Sequence, residues 1–213
     1  MDLLQSQIKP HFLFNTLNTI SGMAEIEEAV VTESMIRSLS RLFRYNLHTT
    51  NQFVSLSQEL EVARDYLSLQ KMRFGDRVQY ELIPQPGSRE AENLGDIQVP
   101  VFLLQPLVEN AVIHGISRKE QGGKITIRSE KRDNALRIEV ADTGVGMDPE
   151  TLQGLRDKLA GAPSDVHVGI GIGNLYQRLN TLYGEDSLQI SSEAGRGTQI
   201  TVTIPLPAED KTC

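Results

Sequence analysis

The chain contains no tryptophan, and aromatic residues make up only 5% of it. Stacking successive nucleic-acid bases on aromatic platforms is therefore not a theme of its surface. A basic excess is also missing: 21 Lys and Arg stand against 28 Asp and Glu, giving a net charge of −7. With a pI of about 5.2, that balance excludes a nucleic-acid face built on clustered cations. A single cysteine, Cys213, provides neither a disulfide framework nor a paired-cysteine metal site, which fits a reducing cytoplasm. No stretch approaches the roughly 18 apolar residues of a membrane span, and the first residues do not read as a signal peptide.

What is present suffices for one ordinary domain and a smaller helical unit: 213 residues, 39% of them hydrophobic. The first stretch, QSQIKPHFLFNTLN, reads as a helix carrying one histidine, His11. At about 100° per residue, His11, Asn15, Asn18 and Gly22 share one side. Pro10, Leu13, Leu17, Ile20 and Ala24 gather opposite, with Phe12 and Phe14 between. Pro10 has no N–H to bond the Ser6 carbonyl, so a bend is expected just before the histidine. EIEE breaks this helix. From Glu33 to Leu47 a second amphipathic helix follows, with Met35, Ile36, Leu39, Leu42, Phe43 and Leu47 on one face. Two such helices cannot cover both apolar faces alone. Pairing with a second copy would complete a four-helix bundle; a helical cap on the chain's own globular domain is the other solution.

HTTNQFVS reads as a linker, and a third helix is expected from Ser57 to about Phe74. A strand VQYELI, a turn-rich loop PQPGSREAENLGD and an apolar helix from Val99 to Gly115 come next. Strands Lys124–Lys131 and Ala135–Ala141, a helix from Pro149 to Leu159, a helix Asn174–Tyr183, and strands Leu188–Ser191 and Thr198–Ile204 complete the pattern. Strands and helices in this order give an α+β fold, one layer of sheet and one of helices.

Three separated motifs carry chemistry. Glu109-Asn110 is followed by His114, so Asn110 and His114 share a helix face. An asparagine amide oxygen is a hard ligand suited to Mg²⁺, which takes a few protein oxygens beside phosphates and water. Asp142-Thr143-Gly144-Val145-Gly146 stands at a strand end, where a carboxylate can accept a hydrogen bond from an exocyclic amine and glycines admit close backbone approach. Gly169-Ile170-Gly171-Ile172-Gly173 precedes a helix, whose N-terminus offers free N–H groups to phosphates. A dinucleotide-binding fingerprint is excluded, because these glycines follow a loop and lack the G-x-G-x-x-G spacing.

The ordered set, with Gly197-Thr198 on a later strand, resembles the nucleotide-binding boxes of the Bergerat-type ATP fold. That fold is shared by histidine kinases, gyrase, the Hsp90 chaperones, MutL and anti-sigma-factor serine kinases. The segment P-H-F-L-F-N with Gln5 and Gln7, and the later YLSLQKMRFGDR, further resemble LytS-type sensor histidine kinases. The resemblance implies His11 as phosphoacceptor, Asn110 as Mg²⁺ ligand, His114 near the phosphates and Asp142 on the adenine amine. It also implies Gly144 and Gly146 at the base, Gly169, Gly171 and Gly173 at the phosphates, and Thr198 supporting the adenine. Leu159 to Val168 would form a mobile lid, its Gly, Ala, Pro and Ser content fitting a loop that reorders.

Where the hydrolysing members of that fold place a glutamate four residues before the asparagine, this chain has Pro106, so ATP hydrolysis is not the expected main activity. Phe12 follows the phosphoacceptor where many histidine kinases have an acid, which leaves its proton acceptor open. Glu109 is the candidate base, with holding a magnesium-bound water as its alternative role; Asn15 is the candidate for orienting a water in a phosphatase reaction.

The expected architecture is a two-helix dimerisation and phosphoacceptor hairpin over residues 1–50, a linker at 51–56 and a Bergerat-type α/β sandwich at 57–213. The expected activity is ATP- and Mg²⁺-dependent autophosphorylation of His11 in a homodimer. Transfer to an aspartate of a response regulator, of LytTR type, follows. The alternatives are a catalytically silent nucleotide-binding dimerisation module and a serine kinase. No direct nucleic-acid partner is expected. The chain opens within two helical turns of His11, which suggests the cytoplasmic portion of a longer protein anchored upstream in the bacterial inner membrane.

Overall fold

A computed structural model describes residues 10–49, 51–166 and 169–207. The chain opens with an antiparallel hairpin of α1 (Pro10–Ile26) and α2 (Val30–His48). The EIEE break is a tight reversal: Glu28 takes a left-handed φ of 55°, and the Ala29 N–H reaches back to the Ala24 carbonyl at 2.8 Å. Leu17 and Ala24 are buried against α2, while His11, Asn15 and Asn18 are exposed. Ile20, expected on the covered side, is exposed. The helix begins at Pro10, so the expected bend before the histidine lies outside the described residues.

The segment expected as a linker holds a short strand instead. β1 (Phe53–Ser55) pairs antiparallel with β3 (Gln98–Pro100), a partner too distant in sequence to be anticipated from three residues. Ser55 then caps α3 (Leu56–Phe74), its hydroxyl accepting the Gln58 N–H. β2 (Val78–Ile83) follows. The turn-rich stretch after it contains a two-turn helix, α4 (Arg89–Gly95), nucleated by the Ser88 hydroxyl accepting the Ala91 N–H.

The apolar run from Val99 is not one helix. It is the end of β3, a turn, α5 (Gln105–Asn110) and a π-helical turn over Ala111–Ile116. A buried apolar run has no period with which to separate strand from helix. π-helical turns inside helices tend to mark functional sites, and this one carries His114.

β4 (Gly123–Arg132), β5 (Ala135–Asp142), α6 (Pro149–Leu159), α7 (Ile170–Tyr183), β6 (Leu188–Glu193) and β7 (Gly197–Pro205) complete the fold. The five-stranded sheet has the order β2-β4-β5-β7-β6, parallel only between β2 and β4. Strand alternation sends Ile125, Ile127, Leu136, Ile138, Val140, Val202 and Ile204 to the face covered by helices. Charged and polar side chains such as Arg128, Arg137, Glu139 and Gln199 occupy the other face. The result is the expected α+β fold: two helices, then a two-layer sandwich. Among the described residues no helix is long and apolar enough to cross a membrane.

Candidate functional site: a cavity at the end of the sheet

The inward alternation of β5 runs Leu136, Ile138, Val140 and then Asp142. Period two thus carries a carboxylate to the core side of the sheet at the strand's end. Thr198 stands directly opposite it on β7 and shares its face. Asp142 is 7% exposed, and its Oδ1 accepts the Gly144 N–H at 2.8 Å. Burial raises its pKa above the ordinary carboxylate range, opposed by the backbone N–H groups of Gly144 and Thr198 and by Lys119.

Beside this pair lies a cavity of about 190 Å³. Asn110, His114, Asp142, Gly146, Gly169 and Thr198 all line it, so the structure joins residues from each of the three motifs and the later strand. Gly115, Arg118, Val145, Met147, Thr151, Leu155, Val166, Ile172, Ile190 and Ile200 supply the remaining wall; Val145 and Ile172 lie within the motifs and Val166 within the expected lid, while sequence reasoning did not single out the others for it. Apolar walls with a few convergent polar groups are what a flat heteroaromatic ring with polar edges requires. A larger cavity of about 430 Å³ beside α3 and α4 contains none of the motif residues.

The glycines divide by role. A Cβ on Gly144 would strike the backbone of Gly115 and the carboxylate of Asp142. A Cβ on Gly115 would come within 2.5 Å of Asp142 Oδ1. These two glycines let the loop after β5 press against the π-helical turn. Gly144 is thus a close-packing residue, not one that lines the cavity as expected. Gly146 does line it, and its φ of 63° and the nearby Glu193 carbonyl both demand glycine. Of the last motif, Gly169 reaches the cavity at the start of α7, whereas Gly171 and Gly173 are not among its lining residues. Gly171 lies against Pro106 instead.

Thr198 is held by a side chain that sequence reasoning missed. The Ser192 hydroxyl donates to the Gly197 carbonyl at 2.8 Å and accepts the Met147 N–H at 2.9 Å. Its one proton is thereby used, so the Thr198 hydroxyl, 2.9 Å away, donates to Ser192 and keeps its lone pairs for a ligand. No local signal distinguishes Ser192 from any other strand serine; Gly115 could have been found from its place beside His114.

Glu109 adjoins Asn110 but does not line the cavity. Its Oε1 accepts the Gln105 amide at 2.9 Å, and its charge adds to the burial that pushes Tyr66 up to about 12. Val166, on the segment expected as a lid, packs over Gly154 and closes one wall; His167 and Val168 of that lid lie outside the described residues. Among the described residues no group of three His, Cys, Asp or Glu side chains could hold a metal. Away from the cavity, His11 is exposed on α1, and the Asn15 amide nitrogen lies 3.3 Å from its Nδ1 and 3.4 Å from its Nε2.

Residues 1–78 match the family described as "Histidine kinase", and residues 95–208 match "Histidine kinase-, DNA gyrase B-, and HSP90-like ATPase". The chain is 37% identical to the sensor protein LytS of Bacillus subtilis across 95% of its own length and 33% of that protein. It is 37% identical to YwpD of the same organism, covering 97% of this chain and 70% of YwpD. It thus spans about a third of the length of LytS. Among solved structures, the histidine kinase domain of a blue-light activated histidine kinase from Erythrobacter litoralis superposes with a TM-score of 0.52. That match has 16% identity and covers 92% of this chain and 94% of the other, a likeness of fold.

Proposed function

Because this chain belongs to the LytS-type sensor histidine kinases, we propose that it is the cytoplasmic kinase portion of such a sensor, transferring the γ-phosphoryl group of ATP to His11. The observation that carries this reading is the convergence of three sequence-separated motifs on one cavity, in a chain whose leading hairpin exposes a histidine.

In this reading the adenine enters between Ile190, Ile200 and Met147, and its exocyclic amine donates to Asp142. Thr198 accepts at the ring edge. The triphosphate lies toward Asn110, His114 and the start of α7, whose N–H groups favour anionic oxygens. Asn110 would hold Mg²⁺, consistent with a metal that takes one or two protein oxygens and completes its shell with phosphate and water. Bound there, Mg²⁺ supplies neutralisation of phosphate charge. His11 attacks the γ-phosphorus in line with its neutral ring nitrogen, while the bond to the β,γ-bridging oxygen breaks. The ring's other N–H proton must then leave for a base, the role assigned to Glu109. Catalysis of this kind rests on positioning and charge stabilisation. The Asn15 amide lies beside the His11 ring, which supports a role for it in orienting a water at a phosphorylated partner.

The functional unit is a homodimer joined through residues 1–50, with 51–56 as connection and 57–213 as the catalytic domain. The phosphohistidine passes its phosphoryl group to a response-regulator aspartate, of LytTR type on family grounds, and the whole protein reaches the membrane through segments upstream. Incubation with γ-labelled ATP tests the central claim. An acid-labile, base-stable label is expected, lost in His11→Gln while Mg·ATP affinity persists. Label mapped to His48, His114 or His167, or label that survives acid, would overturn it.

A further inference from the structure

The hairpin and the nucleotide cavity are joined by a buried polar junction that the proposed chemistry does not use. Tyr45, on α2, is 5% exposed. Its hydroxyl donates to Glu59 Oε1 on α3 and accepts the Phe102 N–H at 3.4 Å. Glu59 is 1% exposed, and its other oxygen accepts the Leu104 N–H at 2.8 Å. Leu104 is the N-cap of α5, the helix that ends in Asn110.

Phe102 binds the arrangement to the opposite wall. Its φ of 55° puts a bulky residue in the left-handed region. Such a conformation is strained for a residue with a side chain and persists only where its surroundings fix it. Here the ring stacks edge-on against Tyr45, with centroids 5.1 Å apart, and the carbonyl accepts Arg178 Nη2 at 3.2 Å. Arg178 belongs to α7, whose N-cap Gly169 and first-turn Ile172 line the cavity. On the hairpin side, the Arg44 guanidinium, next to Tyr45, lies 5.6 Å over the Phe14 ring of α1, the helix that carries His11.

We infer that Tyr45 and Glu59 are a positioning pair through which the pose of the α1–α2 hairpin and the two helical walls of the nucleotide cavity bias one another. The pair touches neither substrate nor reacting atoms. One hydroxyl and one carboxyl connect α2 to the backbone that launches α5, and Phe102 extends the connection to α7. Any shift of α2 must either move that backbone or break a buried hydrogen bond, and a shift of α5 or α7 on ligand binding acts in reverse. Coupling of this kind is reciprocal.

The inference rests on the cavity taking ATP, and hydrogen exchange on the full chain, with and without Mg²⁺ and a non-hydrolysable ATP analogue, tests both. In the parent, the analogue is expected to slow exchange at residues 102–115 and 169–178, and also at residues 38–48 by about fivefold or more, the lower range of measured site-to-site coupling. Tyr45→Phe keeps the ring contact and removes the hydroxyl. It should bind the analogue within about threefold of the parent and retain the response at the cavity. The response at residues 38–48 should be lost. Glu59→Gln keeps an acceptor for Leu104 and weakens the contact to Tyr45, so its response should fall between the two. Binding in the parent without a response in α2, or an undiminished response in Tyr45→Phe, overturns the junction and leaves the nucleotide reading intact. A parent that does not bind the analogue overturns both.

Discussion

Asp142 faces opposed demands. Its burial in the cavity wall penalises the ionised form and raises its pKa. For an acid, a raised folded-state pKa means a stabilising contribution that is complete below the unfolded pKa and lost as pH rises through the folded value. At pH 7 the ionised carboxylate is therefore a cost to the fold, one that an amine donor offsets. Asp142→Asn is expected to weaken Mg·ATP binding about tenfold or more, roughly 1.4 kcal/mol, as calorimetry would record. The difference in unfolding temperature, variant minus parent, should be larger at pH 7 than at pH 5, where the parent's carboxyl is more fully protonated. A difference that grows toward low pH would show that Asp142 is not the buried group its surroundings imply. Glu109 is the second residue to separate. One of its oxygens is occupied by Gln105. Its other oxygen is the one left to act as base for His11 or as holder of a metal-bound water. With Glu109→Gln, autophosphorylation is expected to fall about 10²-fold while Mg·ATP affinity holds, the size of a lost general base. Affinity falling in step with rate would move Glu109 to the metal's shell.

At the scale of elements, the cavity depends on a loop pressed against a helix. Gly144→Ala places a methyl group into the Gly115 backbone. Overpacking of this kind costs about 1–3 kcal/mol, so thermal unfolding should drop by several degrees and nucleotide binding should weaken with it. Gly22 is the internal control. It lies within α1, where an added methyl group would meet no atom within 4 Å. Gly22→Ala should therefore be neutral or stabilising by up to about 1 kcal/mol. Equal losses in both variants would remove the special status of the Gly144–Gly115 contact. The same contact marks where the sequence was informative. β2 and α6 occur with the bounds their patterns announced, because alternation and an Asp148-Pro149 start are local signals. The motif glycines were legible as a set, but which of them packs and which faces a ligand depends on how helix and loop meet. That is why the family resemblance assigns Gly144, Gly171 and Gly173 to the ligand together with the glycines that line the cavity. α4 escaped because seven residues among Gly and Pro carry little periodicity, and β1 because its partner is far along the chain.

Over the whole molecule, the apolar surface of the hairpin is larger than the hairpin itself can cover. Ile20, Met23, Ile26, Val30 and Val31 are 46%, 51%, 78%, 71% and 66% exposed. α2 already uses one side against α3, where Arg41 grips the buried Asp65 with two hydrogen bonds of 2.5 Å and Ser38 adds a third of 3.1 Å. These exposed apolar side chains gather at the turn end of the hairpin, and none of them lines the nucleotide cavity. Covering it with a second copy would stabilise by about 1.5–3 kcal/mol for each large side chain fully buried. The full chain is therefore expected to sediment at twice its mass of 23.7 kDa. Removing the hairpin is a poor test, because it would strip Arg41 and Tyr45 from the buried carboxylates of Asp65 and Glu59. Breaking a buried pair costs about 3–5 kcal/mol, less where the lost partner is as solvent-exposed as Arg41. Substitution on the free face avoids that damage. Ile20→Glu with Met23→Glu should give a monomer with parental Mg·ATP affinity, since neither residue lines the cavity. A parent chain that sediments as a monomer at tens of micromolar would overturn the assignment, and so would a variant that remains dimeric with all its ATP affinity.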